Sequence, residues 1–160
     1  ITHVELGVDD IDDSIINLQV VKNLERIGDI VMNLNEFYEQ VFEEKEEFTE
    51  QAIAEVTEMY AIVVEMIKHS IEYFDTRNDM YIGFIINNED KLDALSEKAK
   101  TEHFKRMRDN TCVHPVASST YVDIVSNLER MGDHAYNVIK LISPNVPKHT
   151  TQEVTIEMLK

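Results

Sequence analysis

Tryptophan is absent from the 160 residues, cysteine occurs once, and there are only four glycines and three prolines. A single cysteine, Cys112, excludes a disulfide framework and a thiolate metal knuckle, and it fits a reducing compartment. Scarce glycine and proline argue against a turn-rich β-sheet protein, whereas plentiful Glu, Leu, Ile, Met and Lys favour long helices. No run of about 18 apolar residues is present, so the sequence contains no membrane-spanning helix, and no basic region followed by an apolar core marks a leader. Positive charge is also sparse: 15 Lys and Arg face 31 Asp and Glu, a formal net charge of −16. Such a chain repels a phosphate backbone, and nucleic acid is not an expected partner. Neither a glycine-rich phosphate loop nor a convergent Lys/Arg cluster is visible in the linear sequence.

What is present is helical periodicity. Between Gly28 and Gly83 there is neither Gly nor Pro, and Phe48, Ala52, Val56, Met59, Val63, Ile67 and Phe74 recur on one helical face. Upstream, Asp9, Asp10, Asp12, Asp13 and Ser14 supply capping chemistry and negative charge for a helix over 11–43, with Leu18, Val21, Leu24, Ile27, Val31, Leu34, Tyr38 and Val41 as its stripe. A third helix is predicted over 80–108 and a fourth over 117–141, stopped by Ser143-Pro144-Asn145-Val146-Pro147. A short terminal helix is predicted over 151–159. The fold class is all-α, an antiparallel bundle of long helices.

One polar heptapeptide occurs twice. Asn23-Leu24-Glu25-Arg26-Ile27-Gly28-Asp29 returns as Asn127-Leu128-Glu129-Arg130-Met131-Gly132-Asp133, and each copy ends on a further Asn four residues on, Asn33 and Asn137. On a helix Glu25 and Asp29 stack at i, i+4, as do Glu129 and Asp133, so each helix carries a ridge of oxygen ligands. Stacked acids repel by a few tenths of a kcal/mol, and a mid-helix glycine costs about 1 kcal/mol relative to alanine. A cation between carboxylates and a close approach at the glycines would offset both penalties. The competing reading is that Glu25 and Glu129 pair with Arg26, Arg130 or other cations across a packed interface, with the glycines serving helix contact. Glu89 and Asp93 share the spacing on the third helix, where a solvated charged face is the alternative.

These residues resemble the PhoU family, whose domains consist of two three-helix repeats bearing E-x-x-x-D motifs of the LERIGD type. Within the chain, Asn110-Thr111-Cys112-Val113-His114-Pro115 leading into Asp123–His134 is most similar to the cytoplasmic PhoU-like region of sodium/phosphate cotransporters. The resemblance divides a single domain into a remnant of repeat 1 (1–45), a complete repeat 2 (46–142) and a C-terminal extension (143–160). It implies a non-catalytic regulator of phosphate transport, cytoplasmic, tethered to the cell membrane if spanning segments precede residue 1, and partnered by a transporter's membrane domain or a phosphate-signalling protein. It also implies iron or zinc as cofactor, with Glu25, Asp29, Glu89, Asp93, Glu129 and Asp133 as ligands. The truncated first repeat leaves half of one ligand set missing, since the partner of the Glu89/Asp93 pair is expected upstream of residue 1, and it exposes the first helix, through which a homodimer is expected.

Two further classes stay open on the residues alone. A carboxylate-bridged di-iron enzyme needs Glu-x-x-His pairs. None occurs, Glu65 and His69 being one residue too far apart. A metal-free scaffold would dock partners by an exposed apolar stripe.

Overall fold

The computed structural model describes residues 8–148, with side chains from residue 12 onward. It contains α1 (Val8–Glu43), α2 (Glu50–Thr76), α3 (Met80–Arg108) and α4 (Pro115–Ile142), and no strand among the described residues. The helices begin and end where the predictions put them to within a few residues. The terminal helix predicted over 151–159 lies outside the described residues, as does the segment upstream of α1.

Local chemistry explains the boundaries. Lys45, in the left-handed region at φ 57°, closes α1, with the Glu46 amide donating back to the Val41 carbonyl at 3.1 Å. The Thr49 hydroxyl accepts from the Ala52 amide at 3.2 Å and caps α2, which Arg77 ends in the same left-handed conformation. Pro115 opens α4. The Ala117 amide donates to Glu46 Oε2 at 2.7 Å, so the loop after α1 caps the start of α4.

α4 is the central element. α2, α3 and α4 form an up-down-up bundle, and of the other helices α1 packs closely on α4 alone. Met59, Val63 and Met66 of α2 meet Ile85 and Leu92 of α3 and Tyr121, Ile124, Val125, Leu128 and Ile139 of α4, all fully buried. α1 contributes Ile27 and Ile30 to the same core, running antiparallel to α4 so that Asn23 lies beside His134. Its stripe is divided: Leu24, Ile27, Leu34 and Val41 turn inward, whereas Leu18, Val21, Val31 and Tyr38 remain exposed. The expected single face is therefore too wide for one partner helix. Between α1 and α2 runs an open apolar groove of about 430 Å³ lined by Val31, Leu34, Tyr38, Val56 and Tyr60 and floored by α4.

A polar clamp ties α2, α3 and α4 together. Arg106 of α3 donates to both carboxylate oxygens of Glu55 of α2, at 3.1 and 2.9 Å, and the Tyr121 hydroxyl of α4 donates to the same carboxylate. Burial pushes the Glu55 carboxyl up, but the Arg106 and Tyr121 hydrogen bonds and the arginine charge outweigh it and hold the group below its ordinary value.

Candidate functional site

α3 and α4 lie close because Gly132 has no side chain. A Cβ at that position would sit 2.3 Å from Leu92 Cδ2 and 3.5 Å from Glu89 Oε2. This contact brings the ridge of α3, Glu89 and Asp93, beside the ridge of α4, Glu129 and Asp133.

The two ridges are neutralised by lysines. Lys148, in the segment that follows α4, stands 2.9 Å from Asp133 Oδ1 and 3.3 Å from Glu89 Oε1. Glu129 Oε2 accepts from Lys100 Nζ at 3.0 Å and from the Ser96 hydroxyl at 2.5 Å. Burial alone would raise the Glu129 carboxyl, and the bonds from Ser96 and Lys100 hold it below its ordinary value.

Glu89 differs sharply from a solvated surface acid. Its side chain is 1% exposed, and neither carboxylate oxygen has an aligned hydrogen-bond donor. Burial raises its pKa to about 7, against the Lys148 charge, and the nearby Asp133 and Asp93 add to the rise. An orphaned buried carboxylate beside a second acid is the donor chemistry a cation requires, and the Lys148 ammonium supplies one. Among the described residues, however, no three His, Cys, Asp or Glu side chains are grouped so as to hold a metal ion. The structure thus offers a shared cation position between Glu89 and Asp133 and no closed ligand set.

α1 carries its ridge elsewhere. Glu25 and Asp29 are exposed, and Asp29 pairs loosely with Arg26 at 3.4 Å. Among the described residues nothing lies within 4 Å of a Cβ built on Gly28. Of the six predicted ligands, then, four gather at the α3/α4 contact and two face away from it. The paired reading holds for Glu129, whose partner across the α3/α4 contact is Lys100, and not for Glu25, which is exposed and makes no ion pair among the described residues; Asp133 and Asp29 have cations of their own in Lys148 and Arg26.

The linear sequence hid one feature. Because α1 and α4 run antiparallel, the arginines of the two heptads, Arg26 and Arg130, line opposite sides of a cleft of about 390 Å³ together with Asp29, Asn33 and His134. A basic pair therefore converges after all, from positions far apart in the chain. His134 lies on the α1 side of α4, its Nδ1 3.0 Å from Asn23 Oδ1, and not on the acidic ridge. Burial first, then the charges of Arg130 and Arg26, hold its pKa below the ordinary value. His69, the nearest approach to a di-iron ligand, instead packs its ring 5.6 Å from Tyr81 and 5.3 Å from Phe84.

With this geometry in view, comparison with known proteins is specific. The PhoU domain profile matches residues 56–142, which begin inside α2 and end with α4. The chain is 28% identical over 122 residues to the phosphate-specific transport system accessory protein PhoU homolog 1 of Thermotoga maritima, an alignment covering 76% of this chain and 51% of that protein. The chain thus spans about half the length of this curated relative. No solved structure matches it.

Proposed function

Because this chain belongs to the PhoU domain family, we propose that it is a non-catalytic regulatory domain of phosphate homeostasis, acting by contact with a transporter or a phosphate-signalling protein. The observation that carries the reading is the family match over 56–142, supported by the likeness to a protein named as a phosphate-transport accessory. The site chemistry agrees with contact: Glu129 and Asp133 are held by Lys100 and Lys148. The finer reading is the cytoplasmic part of a sodium/phosphate cotransporter, for which the support is the sequence from Asn110 to His134 alone. No described helix is long and apolar enough to cross a membrane.

Within this function Glu89, Asp93, Glu129 and Asp133 form a cation site that would take iron or zinc once Lys148 withdraws, while Glu25 and Asp29 await ligands from another segment or chain. The exposed α1 face, with Leu18, Val21, Val31 and Tyr38, is a surface for homodimerisation. A metal-free scaffold is the second reading, favoured by the lack of any three-ligand group among the described residues.

Phosphate uptake in cells deleted for the gene, complemented with the wild-type chain or with the Glu129→Ala, Asp133→Ala pair, tests the first reading. Uptake and the response to phosphate starvation should change on deletion; indifference to deletion overturns regulation. Elemental analysis after iron or zinc loading separates the two readings, since uptake regulation without bound metal is the scaffold's signature.

A further inference from the structure

We propose that the cleft between α1 and α4 is a binding site for a small tetrahedral oxyanion of the phosphate class, gripped from its two sides by Arg26 and Arg130. The choice of phosphate among such anions rests on the proposed function; the existence of an anion site does not.

The duplicated heptad supplies the first argument. Where two copies of one motif pack antiparallel, an approximate local two-fold relates them, and residues at the same place in each copy face each other across it. Arg26 and Arg130 hold the same place in the heptad, and Ile30 and His134 correspond one residue beyond it. All four line the cleft. The two guanidinium groups thus meet at one opening by symmetry, while the acids of the α4 copy turn away toward Lys100 of α3 and Lys148 of the segment after α4.

Charge supplies the second. On a chain of net charge −16, two arginines facing one cleft are a local reversal of sign that can attract an anion. Among the described residues Arg130 makes no hydrogen bond or ion pair. Arg26 has only Asp29, at 3.4 Å and with both side chains largely exposed, a weak contact in water. Both arginines line the cleft with His134, and both charges act on its ring. A planar guanidinium offers paired donors that match the edge of a phosphate, and two of them from opposite sides can engage separate oxygens. The Asn33 side-chain amide adds a neutral donor on the same wall. Asp29 opposes an anion, and its loose bond to Arg26 is the contact an oxyanion would replace.

The test is a titration of the isotopically labelled chain with inorganic phosphate at constant ionic strength, followed by amide resonances, with chloride as control. Saturable shifts confined to 23–33 and 127–137 support the site. Arg26→Gln and Arg130→Gln should each weaken binding about tenfold, the loss of one charge-assisted contact, and the double variant should abolish it. Both residues are exposed, so the variants should keep the wild-type helical circular dichroism. Phenyl phosphate distinguishes the source: a preference for it marks an esterified phosphate, a preference for inorganic phosphate the free anion. Shifts that fail to saturate, or binding that survives in the double variant, overturn the site. Loss of the site with normal regulation of uptake leaves the family function standing, whereas oxyanion binding without any effect on uptake removes the function and keeps the site.

Discussion

The two copies of the heptad are nearly the same peptide in two different surroundings. On α4 its glycine meets Leu92, its glutamate takes Lys100 and Ser96, and its aspartate takes Lys148. On α1 the same glycine meets nothing, the glutamate is exposed, and the aspartate holds only its neighbour Arg26. A motif is therefore a set of offers, and the fold decides which are taken up. Among the described residues, what α4 has and α1 lacks is a helix on its acidic flank.

The difference should be broken most severely at the clamp that gives α4 its neighbours. Arg106 is buried against Glu55, and Tyr121 donates to the same carboxylate. Arg106→Ala leaves that half-buried carboxylate without its cation and its two charge-assisted hydrogen bonds, a loss of about 2–3 kcal/mol in urea unfolding. Because the folded Glu55 is held below its ordinary pKa, its contribution is present above the unfolded value and lost as pH falls through the folded one. The variant should therefore lose part of the wild type's acid sensitivity, and an unchanged urea midpoint would refute the clamp.

Glu89 sharpens the comparison, since among the described side chains of α1 no acid is enclosed as it is. Its pKa is raised to about 7, chiefly by burial. The sign is opposite to that of Glu55: folding favours the protonated acid, so this term is fully present below the unfolded pKa and disappears as pH rises toward 7. Glu89→Gln should stabilise the chain by about 2–3 kcal/mol at pH 8 relative to wild type and have little effect near pH 4. Equal effects at both pH values would show that Lys148 already satisfies the carboxylate.

How much of this was legible depended on the distance between partners along the chain. All four helices follow from helical periodicity, α2 in a run without glycine or proline and the others with a single glycine each inside the pattern, because that signal is local and repeated. Glu89 was ambiguous because α3 buries polar residues, Asn88, Ser96, His103 and Arg106 among them, so its inward face reads as solvated. The Glu55–Arg106–Tyr121 clamp and the Arg26–Arg130 cleft each join residues from different helices, and no spacing rule within one helix finds them. Only the duplication hinted at the second pair, since a repeated heptad repeats its arginine as surely as its acids.

The glycines offer the smallest and cleanest test, because one substitution should have opposite signs in the two copies. Alanine at Gly28 meets open space and gains helix propensity, so Gly28→Ala should stabilise by about 0.5–1 kcal/mol. Alanine at Gly132 gains the same propensity but places a methyl 2.3 Å from Leu92 Cδ2, and Leu92 is completely buried with little freedom to turn aside. Overpacking of this kind costs about 1–3 kcal/mol, so Gly132→Ala should destabilise even after the propensity gain. Thermal unfolding of the two single variants measures the contrast. If both are stabilised, Leu92 yields and the α3/α4 contact is looser than its geometry; if both are destabilised, something covers Gly28 in solution, and the exposed flank of α1 is an interface.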